Sequence, residues 1–277
     1  PAEGPATARL LADRVDADVL HVFGLPDRSV LSEAVSPDPV SSMVRAEAPR
    51  MHPTGTWDEI YRSKLSKERR RFHRKHLKRL AARGEVEFVV ASEGEALGRA
   101  LEDAFAIYRR RWEGLPDRSG FVTPEGQAFH RDAIRALADQ GVARIVSLRV
   151  GGRPIAYYYY LRLGDRVCGA STSYDMEFAP CSPGWLTVVQ MLEVAVGEGA
   201  REIEFLGSNE PYKLTFADEL APLHEALIRP RGLRARIYVD GRLAALALRA
   251  RLKRSDAVRH AYYERLAPIR RLIAKRR

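Results

Sequence analysis

The sequence predicts an α/β fold: a mixed, mostly antiparallel sheet flanked by helices. Three observations carry that prediction. Between Val142 and Tyr174 the apolar period shortens to two, and the pairs Gly151-Gly152 and Gly164-Asp165 cut the run into a three-strand antiparallel meander. Ahead of it stands a helical stripe, Leu97, Leu101, Phe105, Tyr108 and Trp112, at spacings of four, four, three and four. Behind it come a helix at 185–198 and a short apolar strand, Glu202–Leu206.

Taken in order, residues 6–15 read as a helix with Leu10, Leu11 and Val15 on one stripe, and Val19–Leu25 as a buried strand. Pro and Ser punctuate the chain from Pro26 to Pro53, leaving one strand at Met43–Ala48. Residues 62–83 read as one cationic helix. Its Leu65, Phe72, Leu77 and Leu80 fall within about 140° at about 100° per residue, and Gly84 ends it. Val86–Ala91 is a strand, and after the striped helix another spans 125–140 with Phe129, Ala133 and Leu137 inward, closed by Gly141.

In the meander, Val142, Arg144, Val146, Leu148 and Val150 share a face. The Tyr157–Tyr160 run alternates faces, so two rings are expected in the core and two along a groove. Leu186, Val189 and Leu192 bury the next helix and Gly199 stops it. A last strand sits near Leu223–Arg229, and a basic helix or pair of helices runs from 242 to the end.

At 277 residues the chain has room for one large domain or two modest ones. The expected divisions are 1–60, 61–84 (the basic helix), 85–230 (the core) and 231–277 (the basic C-terminal segment). The chain opens at Pro1 within what reads as a helix, so it is expected to be a fragment of a longer protein. A 45% hydrophobic and 30% charged composition excludes wholesale disorder. No apolar run approaches the roughly 18 residues of a membrane span, and the N-terminus has no charged-then-apolar leader. Cys168 and Cys181 are too few for a disulfide framework, which points to a reducing cytoplasm.

The net charge of +10 is concentrated. Residues 62–83 hold eleven Lys/Arg against Glu68, and residues 249–277 hold eleven against Asp256 and Glu264; the rest of the chain is acidic. Such segments attract polyanions: phosphate-rich ligands, nucleic acid or an anionic membrane face. In the C-terminal segment Tyr262, Leu266, Ile269 and Ile273 make one apolar stripe, which either docks on the protein's own core or lies on an anionic leaflet.

The chain has no GxxxxGK[ST], GxGxxG, HExxH or paired CxxC, and its histidines never fall with carboxylates at ligand spacing, so no metal site is expected. Ser182-Pro183-Gly184 opens a helix directly after a strand. Free N–H groups and the positive dipole end there suit a pyrophosphate, Pro183 presets the first turn, and Gly184 allows close backbone approach. An ordinary helix cap reads the same way. Asp175 ends the third meander strand, as a turn cap or as a group that orients an amine or serves as base. Arg109, Arg110 and Arg111 read as a solvated face, with binding of a substrate phosphate or carboxylate as the alternative, and Cys181 has no neighbouring His to activate it.

The succession SKERRRFHRKHLKRL, YRRRWEG, GGRPIAYYYYLRLGDRV, SYDMEFAPCSPGWL and EFLGSNEPYKLTFAD resembles the GNAT acyltransferase superfamily, in its Fem-type and CelD-like branch. The likeness covers roughly 60–220 and, more faintly, 5–50. Its most specific element is Gly207 followed by Tyr212-Lys213. Ser182-Pro183-Gly184 stands where simple GNAT enzymes carry Gln or Arg followed by GxG.

The resemblance implies a GNAT-like sheet, with residues 1–60 the remnant of a second GNAT-like half. It implies an acyltransferase whose donor is acetyl-CoA or another acyl-CoA, aminoacyl-tRNA being the Fem-type alternative. The acceptor is then an amine of a sugar, amino acid or cell-envelope or polysaccharide intermediate. It also gives Lys213 an oxyanion- or phosphate-binding role, and Tyr212 the protonation of a leaving thiolate. The enzyme would be cytoplasmic, in peripheral contact with the inner membrane face if its basic segments meet anionic lipid. A competing class is a non-catalytic basic module that binds RNA or membrane. Convergence of residues 174–184 and 207–213 on one cleft separates the two.

Overall fold

The structure is a computed structural model, described here for residues 18–26, 41–112, 120–205, 210–228 and 232–254. The chain forms two compact units, one from residues 47–221 and one from 1–46 with 222–277.

In the larger unit, the end of β2 (Ser41–Met51) is followed by α1 (Trp57–Lys64), α2 (Lys67–Ala81), β3 (Val86–Ala91), α3 (Gly94–Trp112) and α4 (Pro124–Ala138). Then come β4 (Ala143–Val150), β5 (Arg153–Leu163), β6 (Arg166–Tyr174), a 3-10 turn (Met176–Cys181), α5 (Pro183–Gly197), β7 (Glu202–Glu204) and α6 (Pro211–Leu214). The strand order is β2-β7-β6-β5-β4-β3. β3 to β6 pair antiparallel, β7 lies parallel to β6, and Arg50 and Met51 of β2 pair antiparallel with β7. The sheet is therefore mixed and mostly antiparallel, as expected. Gly151 and Gly152, at φ 57° and 78°, make the β4–β5 turn, where the left-handed region favours glycine.

Helices cover both faces of this sheet. Tyr157 and Tyr159 pack with Leu101 and Phe105 of α3 and Ile134 of α4. Tyr158 and Tyr160 pack on the other face with Val188 and Leu192 of α5 and Ile60 of α1. All four tyrosines are buried, so neither face of β5 is left to line a groove. The reason is the second layer: a strand covered on both sides has no outside.

The basic segment is two helices, not one. Leu65 takes an extended conformation (φ −108°, ψ 123°) and is buried, while Ser66 caps α2 by accepting from the Arg69 N–H. Competition from that Ser side chain for the backbone breaks the helix. α4 is rotated from its expected face: Phe129 is exposed, and Ile134 is buried instead.

The smaller unit contains β1 (Leu20–Pro26), paired antiparallel with residues 223–228 of β8 (Glu219–Ile228), and α7 (Gly232–Arg254), which begins ten residues before the expected 242. The C-terminal stripe from Tyr262 to Ile273 lies outside the described residues. Among the described residues no helix is long and apolar enough to cross a membrane.

Candidate active site

β6 and β7 lie side by side from their start. They are in register at Arg166–Glu202, Val167–Ile203 and Cys168–Glu204. On the β2 side the Phe205 N–H donates to the Pro49 carbonyl at 3.0 Å. β6 runs on to Tyr174, paired among the described residues with β5 alone. Just past Cys168 the β5–β6 ladder slips by one residue: Tyr160 faces Gly169 and Tyr159 faces Ser171, leaving Ala170 as a bulge. A Cβ at Gly169 would stand 2.5 Å from the Tyr158 hydroxyl and 3.2 Å from the Phe205 carbonyl, so glycine is what fits where the two chains crowd. The carboxyl ends of parallel strands are where α/β sheets receive ligands.

Each expected site residue lies on a segment leaving one of these two strands. From β6 come Asp175, the 3-10 turn and then Ser182-Pro183-Gly184 at the start of α5. Ser182 is the one non-glycine residue among those described with positive φ (50°), and its side chain makes no cap hydrogen bond. Strain of this kind tends to gather at functional loops. The amides of Gly184 and Trp185 fall in the first turn of α5, whose N–H groups have no intrahelical partner, and no acidic residue sits in that turn.

Asp175 is buried. Its Oδ2 lies 2.6 Å from Arg153 and 3.5 Å from Arg110, and its Oδ1 accepts the Glu177 N–H at 3.0 Å. Burial pushes its carboxyl upward, but the Glu177 N–H and the Arg153 and Arg110 guanidiniums outweigh it and hold the group below its ordinary value. Glu177, two residues on, pairs with Arg83 and Arg153. These ion pairs fasten the turn that precedes α5.

From β7 the chain reaches α6, a single turn carrying Tyr212 and Lys213; Gly207 lies outside the described residues. Lys213 is buried, with Nζ 2.6 Å from Glu210 Oε2, and its carbonyl accepts the N–H groups of Phe216 and Ala217. Phe216 is fully buried and anchors the turn. Tyr212 packs at the edge of the same apolar cluster as Trp185 of α5. Burial drives its phenol well above the ordinary tyrosine value, Glu210 adds to the effect, and Arg111 opposes it.

Arg111 joins the two segments. Its guanidinium lies 4.0 Å from the centre of the Tyr174 ring, and its charge reaches Tyr212. Tyr174 in turn lies against Gly184, whose missing Cβ would be 2.8 Å from the ring. Arg111 thus links residues 174–184 with Tyr212. The expected solvated face holds for Arg109 and Arg110, which are exposed, but Arg111 is partly buried against Tyr174, a partner sixty-three residues away in the chain. Cys181 is buried beside Leu186, and the fold brings the His76 ring of α2 to its backbone, a neighbour that the sequence spacing did not show. Among the described residues no group of three or more His, Cys, Asp or Glu side chains is placed to hold a metal.

A family model described as an acetyltransferase (GNAT) domain matches residues 67–214, more than half of the chain. The crystal structure of FemX superposes with a TM-score of 0.52 at 12% identity, over 80% of this chain and 74% of that one. The structure of L-PGS from Bacillus licheniformis superposes with a TM-score of 0.51 at 12% identity, over 81% and 72%. At such identities these likenesses show the fold. No curated protein matches the sequence significantly.

Proposed function

The chain belongs to the GNAT acetyltransferase family and is an acyltransferase, and we propose that it moves an acyl group from acyl-CoA to an amine of a sugar, amino acid or cell-envelope intermediate. The observation that carries this reading is that both candidate segments follow the carboxyl ends of the adjacent parallel strands β6 and β7.

In this reading the donor's pyrophosphate meets the amides of Gly184 and Trp185 at the positive end of α5. Its thioester arm lies along the edge of β6 beyond Cys168, whose backbone groups have no strand partner on that side among the described residues. The amine attacks the thioester carbonyl directly, and the protein contributes positioning and charge. Lys213 faces the oxyanion of the tetrahedral intermediate. As the intermediate collapses, Tyr212 gives its proton to the leaving thiolate; its raised phenol value keeps it protonated through neutral pH. Asp175, held ionised by Arg153, fixes the loop, and the proton of the attacking amine passes through water to restore the Tyr212 phenol.

A cytoplasmic setting and an envelope or polysaccharide pathway belong to the same reading, supported by the two free thiols and by the sequence likeness to CelD-like proteins. So does the assignment of residues 1–60 to a second GNAT-like half.

The test is thermal unfolding with acetyl-CoA, followed by free-thiol release in the presence of a panel of primary amines. A donor bound only to the folded chain at about 100 times its Kd stabilises it by about 2.7 kcal/mol. No shift at millimolar acetyl-CoA removes coenzyme A as donor and leaves aminoacyl-tRNA.

A further inference from the structure

α2 has two faces of opposite character. Inward, Leu80 is buried and Leu77 partly so, against Phe178, Cys181 and Leu186, and the His76 ring hydrogen-bonds to the Cys181 backbone. Outward, Lys67, Arg71, Arg74, Lys75, Lys78 and Arg79 are all exposed. At about 100° per residue they occupy an arc of about 140°. From Lys67 to Lys78 they extend about 16 Å along the axis, at about 1.5 Å per residue.

The one acid in that arc, Glu68, is turned to Ser66 at the start of the helix. None of the six bases has an acidic partner among the described residues. Elsewhere in the unit arginines are paired with carboxylates, as at Arg149–Asp103, Arg131–Glu102 and Arg162–Glu198. On α2 like charges instead stand three and four residues apart, an arrangement unfavourable to an isolated helix.

We infer that this face is a docking surface for an RNA chain. Charge complementarity requires a polyanion, and the apolar pattern chooses between an RNA and a membrane leaflet. A helix that lies on a leaflet offers it an apolar face. The apolar face of α2 is already spent in the core, and only Phe72, at the rim of the cationic arc, shows an exposed ring. That ring lies against His76, with centroids 3.9 Å apart and planes tilted by 38°, and its exposed side offers a surface on which a base can lie. A flexible phosphate chain can follow a convex row of Arg and Lys, and the planar guanidiniums suit phosphate oxygens. The inference does not rest on the acyl-CoA reading.

The experiment is fluorescence anisotropy of a labelled 20-nucleotide oligouridylate with the full chain over a salt series. The native chain is compared with the triple variant Arg71→Ala, Arg74→Ala, Lys78→Ala. A control triple removes exposed bases elsewhere: Arg99→Ala, Arg135→Ala, Arg201→Ala. The α2 substitutions are solvent-facing and place a good helix former in a helix, so folding is preserved, and thermal unfolding of each variant verifies it. Losing three phosphate contacts to a single strand makes the slope of log K against log salt shallower by about 2. That change is expected in the α2 triple and not in the control.

Equal changes in both triples, or no binding of the oligonucleotide, would overturn the inference. So would co-sedimentation with phosphatidylglycerol vesicles that depends on the same three bases while RNA binding does not. Binding is read without turnover, so its failure leaves the acyl-transfer reading standing, and failure of coenzyme A to bind leaves this one standing.

Discussion

The ring of Tyr174 lies so close to Gly184 that a Cβ on the glycine would stand 2.8 Å from Cδ1. Arg111 holds the same ring from α3, 4.0 Å from its centre. The glycine expected to admit a ligand's backbone approach is thus also needed by the protein's own packing. Gly184→Ala is expected to cost about 1–3 kcal/mol by overpacking, about 2–4 °C of melting temperature per kcal/mol. Tyr174→Ala in the same chain should recover part of that loss. A thermal double-mutant cycle measures it, and strictly additive losses would refute the coupling.

Asp175 sets a pH dependence. Its carboxyl is held below the ordinary value in the folded protein, so its contribution to stability is fully present above the unfolded value, about 4, and is lost as pH falls through the folded value. Asp175→Asn is therefore expected to destabilise by about 2 kcal/mol at pH 7, the scale of a hydrogen bond to a charged group. The gap between native and variant should narrow below pH 4. Denaturant unfolding at pH 7, 5 and 3 follows it; a gap that does not change with pH would show that the carboxylate's charge is immaterial.

How much of this was legible in the sequence follows from the range of the interactions. The period-two runs and the Gly151-Gly152 turn are local, and the meander is where they put it. Ser182-Pro183-Gly184 also opens α5 as read, since a proline at N1 after a strand is a local signal. The break at Leu65-Ser66 was hidden because Leu65 fits the helical stripe of residues 72–80 while filling the core from an extended residue. Phe129 misled because hydrophobicity alone assigned the inward face; in the fold that face of α4 holds His130, against Phe121 and Tyr159, with Ile134 one turn on. Arg50 could not be read at all. It gathers Glu202, Glu204 and Glu219 from two later strands, and its identity as their partner exists only after β2 and β7 pair.

Ser182 occupies the left-handed region without a side-chain hydrogen bond to compensate. Ser182→Gly removes the Cβ clash, worth roughly 1–2 kcal/mol, against a somewhat larger entropy loss for glycine on folding. A net gain of about 0.5–1 kcal/mol is expected, seen as a small rise in melting temperature. Acetyl-CoA protection should be unchanged, because the pyrophosphate reading uses the backbone amides of Gly184 and Trp185. Loss of that protection in a more stable protein would instead give the Ser182 hydroxyl a binding role.

Lys213 and Tyr212 divide the chemistry, and their substitutions should separate. Lys213 is 6% exposed, so truncation to Ala would confound charge with packing; Lys213→Met keeps the apolar stem and removes the ammonium. With acetyl-CoA and a reactive amine from the panel, Lys213→Met is expected to lower kcat by roughly 10²–10³, the scale of one lost oxyanion donor, with KM for the donor little changed. Lys213→Arg should rescue only in part, because a planar fork cannot replace a point charge beside Glu210 Oε2, 2.6 Å away. Tyr212→Phe removes only the proton donor. Its effect should shrink when the leaving thiol is made more acidic, since a better leaving group needs less protonation. An aryl thioester in place of acetyl-CoA supplies that comparison. If Lys213→Met turns over normally, the buried ammonium is a structural partner of Glu210; if Tyr212→Phe loses the same factor with both donors, the tyrosine positions the substrate without giving up its proton.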